Sequence, residues 1–372
     1  MSRLRARLAA ARQLGRTATA SPEPPRAAGF SHRCEAFADA GAGGWGAALR
    51  ELGAPHRPVW FLDLETSSWP GPIPFVVGLG GVGGDDNGDG MVVHQWTLNG
   101  LAAEADMLEA VAAVVAAGPR DAIWVTFNGS SFDVPVLETR FRRLRLPTEE
   151  LRREHVDLLH VSRRIWRDTL ADCRLATIEQ ERLGLHRIDD IPGAEVPAIF
   201  ERWLADPDDV ATRRDVAGVV EHNRLDITGL ARLLTVLAEV VTQPRGLAEA
   251  FGVARHLRVV GAEARALALL SAAVVAAPVA ARSRHALRDA RWFAADLARR
   301  AKDYSGAAEH WAWICVEFPG DPGACEALAK HLEHRVKDPR GALAVAEAST
   351  VPCARRLDRL YRKVEAIESR AC

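Results

Sequence analysis

Apolar and polar positions divide the chain into a strand-rich part and a helical part. Short apolar runs bounded by turn residues are typical of buried strands, and five of them occur in the first two-thirds of the sequence. They predict strands at 59–64, 75–82, 91–98, 122–127 and 156–159. Between the second and third lies GGDDNGDG, which predicts a hairpin turn. Its acidic residues also suggest a Ca²⁺ loop, but the spaced ligands and terminal Glu of an EF-hand are missing.

Periodic apolar positions predict helices between and after these strands. One covers 101–117 and ends at Gly118-Pro119, and another begins around Ser131 to Pro135. Helices continue after the fifth strand to about 241, and the longest covers about 210–240. Three strands, a helix, then strand, helix and strand form an α/β order. This order matches a mixed five-stranded sheet with helices on both sides, which on the pattern alone is one option among several.

The sequence before and after this α/β part differs from it in composition and in the pattern of apolar positions. Residues 1–55 carry little pattern apart from Pro-rich and Gly-rich segments, and we predict a flexible tail and lead-in there. We predict an α/β domain at 56–242 and an all-α domain at 243–372. In the latter, Lys302-Asp303 with Gly306-Ala307 recurs 35 residues later as Lys337-Asp338 with Gly341-Ala342. This offset is close to the repeat length of tetratricopeptide (TPR) proteins, so we predict a TPR-like array, with a plain helical bundle as the alternative.

Composition limits the classes of protein that this chain can belong to. Its 372 residues predict two domains, and 48% hydrophobic residues are enough for real cores. A net charge of -1 excludes a uniformly basic nucleic-acid binder, though not a local basic groove. The six cysteines are scattered without a C-x-x-C pair, which argues against a zinc site or a disulfide framework and favours a cytoplasmic location. No apolar run approaches the about 18 residues that a membrane span needs.

Two carboxylates lie together on the first predicted strand. Side chains alternate along a strand, so Asp63 and Glu65 share a face. Neighbouring carboxylates on a mostly apolar strand repel each other and resist desolvation. A bound Mg²⁺ or Mn²⁺ would remove both problems, because these ions prefer oxygen ligands. The alternative is the end of a strand that reaches water.

Three further residues extend this pair. Asp133 follows the fourth strand near a helix start, where the helix dipole favours an acidic residue in any case. His222 and Asp226 are four positions apart and share one face of the last helix. A surface His–Asp pair has the same spacing. Each of these three residues is a weak signal on its own. Together with Asp63 and Glu65 they give the ordered pattern D-x-E, D, H-x-x-x-D.

In that order the sequence resembles the DEDD superfamily of 3′–5′ exonucleases, and within it the bacterial YprB-type RNase H-like domain. The resemblance covers about 58–240, and the C-terminal EALAKHLEHRVKDPRGAL is similar to the tail of such proteins. Two departures are the three residues between His222 and Asp226, where His-type members usually have four, and Trp69 with prolines after the first motif. The blocks that carry the resemblance are FLDLETSS, PFVVGLG, VTFNGSSFDVPVLETRFRRL, HVDLLHVSRRIW, CRLATIEQERLG, DDIPGAEVP and EHNRLDITGLA.

The resemblance implies an RNase H-like fold and a two-metal-ion hydrolysis of phosphodiester bonds. Asp63 would bridge two divalent cations, Mg²⁺ or Mn²⁺. Glu65 and Asp226 would hold the ion that activates water, Asp133 would anchor the second ion, and His222 would act as general base. All five residues are therefore catalytic candidates.

Residues around this centre are candidates for substrate contacts. Thr66 and Asn128 could hydrogen-bond the terminal nucleotide, and Trp69 could either stack on a base or anchor its loop. Arg163, Arg164 and Arg174 could contact phosphates, and ordinary solvated arginines are an equal alternative. Asp157, on the fifth strand, is expected to support the site rather than ligate a metal.

The leading hypothesis is a metal-dependent 3′–5′ exonuclease that acts on single-stranded nucleic acid. One alternative is a non-catalytic nucleic-acid-binding adaptor, in which the TPR-like region docks a protein partner. A structure-selective endonuclease on the same fold is another. No motif distinguishes RNA from DNA as substrate, and we expect no membrane association.

Overall fold

A mixed β-sheet organises the N-terminal part of the chain. The computed structural model describes residues 29–37, 44–82, 90–187, 190–277 and 284–371. The chain divides into two compact units, Met1–Gln243 and Pro244–Cys372. Within the described residues, no helix combines the length and the apolar character required to cross a bilayer.

The sheet of the first unit has six strands, in the order β1-β4-β3-β2-β5-β6. β2 lies inside the sheet, and nearly all its side chains are buried. It pairs with β3 antiparallel and with β5 parallel. The predicted RNase H-like α/β fold class is confirmed, with one strand more than expected. The strands are β1 Phe30–Phe37, β2 Val59–Thr66, β3 Pro74–Val82, β4 Met91–Leu98, β5 Ile123–Thr126 and β6 His155–Asp157.

The extra strand lies in the segment predicted as a flexible tail. β1 pairs antiparallel with β4, from Phe30 opposite Leu98 to Phe37 opposite Met91. Soon after it, the helix α1, Trp45–Glu51, buries Trp45 edge-on against Phe61, with ring centroids 4.8 Å apart. The prediction of a tail is therefore wrong for these two elements. An edge strand without a fully buried residue and a seven-residue helix give weak apolar patterns.

The predicted turn GGDDNGDG lies almost wholly outside the described residues, although β3 and β4 on either side of it do pair antiparallel.

Helices cover the rest of the first unit. The described helices after α1 are α2 Glu104–Ala117, α3 Asp133–Arg143, α4 Leu158–Trp166, α5 Leu175–Ile178, α6 Val196–Ala205 and α7 Val210–Thr242; α5 continues into a π-helical turn, Glu179–Leu183.

Two glycines of β3 allow α7 to lie directly on the sheet. A Cβ at Gly78 would be 2.3 Å from Oδ1 of Asn223, and one at Gly80 would be 2.6 Å from Cγ2 of Ile227. Real Cβ atoms do not approach other atoms this closely, so side chains here would push the helix away. The close approach brings the polar residues of α7 next to β2, where the first two acidic residues lie.

The described residues of the second unit form helices joined by turns, without a strand among them. Consecutive helices contact one another along the chain. The expected TPR-like arrangement stays a prediction. The helices are α8 Gly246–Val259, α9 Glu263–Ala276, α10 Arg284–Arg300, α11 Tyr304–Glu317, α12 Pro322–His331, α13 Pro339–Glu347 and α14 Ala354–Ala371, and a π-helical turn, Leu332–Val336, follows α12.

The internal echo of the sequence is a repeated turn between helices. Lys302 and Lys337 have left-handed backbone conformations, with φ of 64° and 65°. The aspartate that follows each lysine caps the next helix: Asp303 accepts from the Gly306 N–H and Asp338 from the Gly341 N–H, both at 2.9 Å. The recurrence in the sequence thus encodes the same helix start twice.

Candidate metal centre

The alternation of β2 directs Asp63 and Glu65 toward α7. Asn223 of α7 donates through Nδ2 to Oδ2 of Asp63 at 2.8 Å and to its backbone oxygen at 3.1 Å. Oδ1 of Asn223 in turn accepts from Nε2 of Gln95 on β4, at 2.8 Å. This chain of hydrogen bonds fixes the first carboxylate against the sheet.

Asp133 joins the same place from the first turn of α3. The tight turn before it requires glycine, because a Cβ at Gly129 would be 2.7 Å from Oδ2 of Asp133 and 2.6 Å from Cβ of Thr126. Asp133 is buried and takes hydrogen bonds from backbone groups of Leu64 and of its own residue. The third carboxylate is thereby tied directly to β2.

Asp157 supports the turn that presents Asp133. Its carboxylate accepts from the backbone N–H groups of Asn128 and Ser130, at 2.9 and 3.1 Å, and from the Ser130 hydroxyl at 2.5 Å. It also caps α4 by accepting from the Leu159 N–H at 3.1 Å. Since Asn128 has a left-handed backbone with φ of 68°, these bonds stabilise an unfavourable conformation.

His222 and Asp226 complete the cluster from α7. Nε2 of His222 lies 3.4 Å from Oδ2 of Asp226 and 3.9 Å from Oε1 of Glu65. Ligand atoms of Glu65, His222 and Asp226 all lie within 4.8 Å of one another. The structure thus brings all five predicted catalytic residues to one site.

The electrostatics of the site favour a cation. Burial, followed by the charges of Asp226, Glu65 and Asp133, raises the pKa of Asp63 well above its usual value. Burial and neighbouring carboxylates raise the pKa of Glu65 to about 8, and burial raises that of Asp133 to about 7. Carboxylates with such pKa values lack sufficient positive partners. The oxygen donors, with one imidazole, fit Mg²⁺ or Mn²⁺.

A partly buried ion-pair network beside α7 was not predicted from the sequence. Arg187 forms two hydrogen bonds with Glu179, at 2.7 and 2.8 Å, and donates through Nη2 to Oδ1 of Asp226 at 2.5 Å. Glu179 fits against α7 at Gly229, where a Cβ would be 2.4 Å from its Oε1. Glu179 lies in CRLATIEQERLG, one of the blocks that carry the family resemblance. A charged residue inside such a block could have been chosen from the sequence as a candidate for the site.

Asp190 is a second residue that the sequence reasoning missed. Its Oδ1 lies 2.7 Å from Nδ1 of His222, and its Oδ2 lies 3.3 Å from Nη1 of Arg187. The imidazole is therefore held from the side opposite to Glu65 and Asp226. The sequence block DDIPGAEVP contains this aspartate, but nothing in the pattern indicates which residue it contacts.

The predicted substrate-contact residues lie in different settings. Thr66 ends β2 directly after Glu65, at an irregularity in the pairing with β3. Asn128 is exposed, as are Arg163 of α4 and Arg174, whereas Arg164 is partly buried.

Trp69 packs against α6 rather than standing free. Its indole contacts the Phe200 ring, at 6.0 Å between centroids, and its N–H donates to Glu201 at 3.1 Å. These contacts match the loop-anchor alternative. By contrast Phe132, the neighbour of Asp133, is 39% exposed, and it was not among the predicted residues.

Comparison with known proteins agrees with this geometry. A family model of the RNase_H superfamily matches residues 60–238. This part of the chain is an RNase H-like domain. The domain is similar to the uncharacterized protein YprB of Bacillus subtilis (strain 168), with 31% identity over 137 residues, which are 35% of this chain and 32% of that protein. The resemblance to the YprB-type domain is thus confirmed, and the match spans about a third of the relative's length.

Proposed function

We propose that the chain is a metal-dependent 3′–5′ exonuclease that hydrolyses phosphodiester bonds of single-stranded nucleic acid. The observation that carries this proposal is the convergence of four carboxylates and one histidine, from β2, α3 and α7, in an RNase H-like domain. Their charges are insufficiently compensated, as the raised pKa values of Asp63, Glu65 and Asp133 indicate. We take 56–242 as the nuclease domain.

In this proposal, Asp63, Glu65, Asp133 and Asp226 hold two divalent cations, Mg²⁺ or Mn²⁺. When bound, such ions activate a water and stabilise charge on the phosphate and on the leaving oxygen. Asn223 keeps the Asp63 carboxylate in place, and Arg187 does the same for Asp226. The family resemblance assigns the general-base role to His222, whose Nε2 faces Glu65 and Asp226.

We propose that the substrate contacts come from residues around the carboxylates. Thr66 and Asn128 flank the cluster, and the exposed ring of Phe132 offers a face on which a base can stack. Arg163 and Arg164 of α4 are suited to phosphate contacts that do not read sequence. Nothing in this set requires a 2′-hydroxyl, so the proposal covers RNA and DNA.

The proposal for the second unit is coarser. We take 243–372 as a TPR-like region that docks a protein partner, supported by the repeated Asp-capped turn. We also propose a cytoplasmic location, with which the free thiols of the described cysteines are compatible.

The test is degradation of 5′-labelled RNA and DNA oligomers by the full chain with Mg²⁺ or Mn²⁺. We expect a ladder that shortens from the 3′ end and disappears in Asp63→Asn. The matched control Asp121→Asn, at an exposed position outside the cluster, should retain activity.

Other outcomes point to other functions. Tight binding without turnover favours the non-catalytic adaptor, and cleavage of a circular substrate favours an endonuclease. The absence of cleavage of either polymer with any divalent ion overturns the proposal.

A further inference from the structure

The hydrogen bond between Asp190 and His222 fixes which ring nitrogen can act on the site. Nδ1 lies 2.7 Å from Oδ1 of Asp190. Nη1 of Arg187 also lies near Nδ1, but at 3.4 Å, so the bond to Asp190 is the shorter one. An ionised carboxylate only accepts hydrogen bonds, and we therefore assign the proton of this bond to Nδ1. In the neutral imidazole Nε2 then carries a lone pair, and it faces Oδ2 of Asp226 at 3.4 Å and Oε1 of Glu65 at 3.9 Å.

This arrangement has the features of a metal-binding histidine. Such a histidine almost always donates its other N–H to a carboxylate, a carbonyl or a water, which fixes the ring and raises its basicity. Two donor atoms each about 2.1 Å from one ion, at right angles, are about 3.0 Å apart. The observed separations of 3.4 and 3.9 Å need only small movements to reach that spacing.

The neighbouring carboxylate is oriented for the same purpose. Oδ1 of Asp226 accepts from Arg187, so Oδ2, the oxygen closer to His222, is left to face the cluster. The four-residue step from His222 to Asp226 places both side chains on one helical face, a spacing at which two residues can ligate a single ion. The spacing of three residues between His222 and Asp226, which is unusual for a His-type exonuclease, therefore suits the binding of one ion by both side chains.

We propose that Nε2 of His222 is a direct ligand of the cation held by Glu65 and Asp226, with Asp190 as the residue that positions the ring. In this role His222 holds the ion instead of taking the proton of the water. Mg²⁺ takes oxygen ligands, whereas an imidazole favours first-row transition ions. The site therefore binds Mn²⁺ in preference to Mg²⁺. The inference rests on the metal site of the proposed function but does not depend on nuclease activity.

Pulsed electron paramagnetic resonance of Mn²⁺ bound to the metal-stripped full chain tests the ligand directly. We expect a nitrogen modulation of the electron spin echo that changes when histidine carries ¹⁵N. In His222→Ala this modulation disappears, whereas it persists in the control His160→Ala, at an exposed position of α4. The labelled unmodified chain gives the main result without any substitution that could disturb folding.

Calorimetric titration supplies a second readout. We expect His222→Ala to lower Mn²⁺ affinity by about 10- to 100-fold and to change Mg²⁺ affinity much less. Asp190→Asn keeps the shape of the residue and should lower Mn²⁺ affinity by about 10-fold, because the ring loses its charged partner.

The inference is overturned if Mn²⁺ binds without a histidine nitrogen signal, if it fails to bind, or if His222→Ala affects both ions equally. Failure of the proposed function looks different. A chain that binds Mn²⁺ through His222 and cleaves no polymer supports the ligand and refutes the nuclease. A chain that degrades oligomers without the nitrogen signal does the reverse.

Discussion

Nδ2 of Asn223 donates to Oδ2 of Asp63 at 2.8 Å, so the helix α7 holds the carboxylate that the central strand presents. Asn223 is completely buried, and its oxygen accepts from Gln95. This single amide therefore joins β4, α7 and β2 at the metal centre. Neither neighbour can turn without breaking a buried hydrogen bond.

Replacement of Asn223 should lower stability as well as activity. Asn223→Ala removes the hydrogen bond of this amide to the Asp63 carboxylate and one of the two bonds made by Nε2 of Gln95, which keeps its bond to the Val220 oxygen. The loss of such a partner costs about 1–3 kcal/mol in the free energy of unfolding. Urea denaturation monitored by circular dichroism measures this cost. The exposed Gln180→Ala serves as control and should differ little from the unmodified chain. An unchanged unfolding midpoint for Asn223→Ala would contradict the structural role.

The glycines of β3 predict a second sensitivity. Gly78→Ala places a methyl group 2.3 Å from Oδ1 of Asn223, which must displace the amide or the helix. We expect a loss of about 1–3 kcal/mol in unfolding free energy and weaker cation binding. Gly100→Ala is the matched control, since its Cβ meets nothing within 4 Å and its φ of -172° is ordinary extended backbone. Equal effects of the two substitutions would refute the close approach.

Glu65 and Asp133 should make the metal-free chain less stable as the pH rises from about 4 to about 8. Glu65 and Asp133 have folded-state pKa values of about 8 and 7, above their usual 4.5 and 3.8. A raised pKa stabilises the folded state at low pH, and this contribution is lost once the pH passes the folded-state pKa. Bound cations offset the repulsion, so saturating Mg²⁺ or Mn²⁺ should raise Tm more at pH 8.5 than at pH 6.5.

Scanning fluorimetry with and without a divalent ion measures this difference. Burial lowers the pKa of His32 and His94 to about 4, and their effect is a loss of stability as the pH falls below 6.5. The two effects oppose each other between pH 4 and 6.5, and above pH 6.5 only the carboxylates contribute. Glu65→Gln should flatten the profile above pH 6.5, and a cation-induced Tm shift that does not change with pH would contradict the prediction.

The two aromatic residues near the carboxylates should differ in function. Phe132→Ala removes an exposed ring, and a stacked base is worth about 1–3 kcal/mol, so we expect weaker oligonucleotide binding at unchanged stability. Trp69→Ala removes packing against Phe200 and should lower stability more than binding.

Fluorescence anisotropy with a single-stranded oligomer, in the Asp63→Asn background, measures the affinity. Phe132→Trp is the matched variant and should retain binding. A loss of affinity in Trp69→Ala alone, with full stability, would reverse the assignment of the two rings.

Local periodicity predicted much of the fold and part of the site. Alternation along β2 placed Asp63 and Glu65 on one face, and the four-residue step placed His222 with Asp226. The edge strand β1 was not predicted, because its half-exposed side chains give no clear apolar pattern and its strand conformation depends on pairing with β4. Asn223, Arg187 and Asp190 could not be assigned, since their roles arise from contacts between segments far apart in the chain.

The hydrogen bond from Arg187 to Asp226 bears on how the metal centre is organised before an ion binds. A guanidinium already neutralises part of the charge that α7 brings to the sheet. Small zinc domains fold only when their ion arrives. Here an internal cation keeps the last carboxylate in place beforehand. The position of Asp226 is thus set by the folded chain itself, before any ion binds.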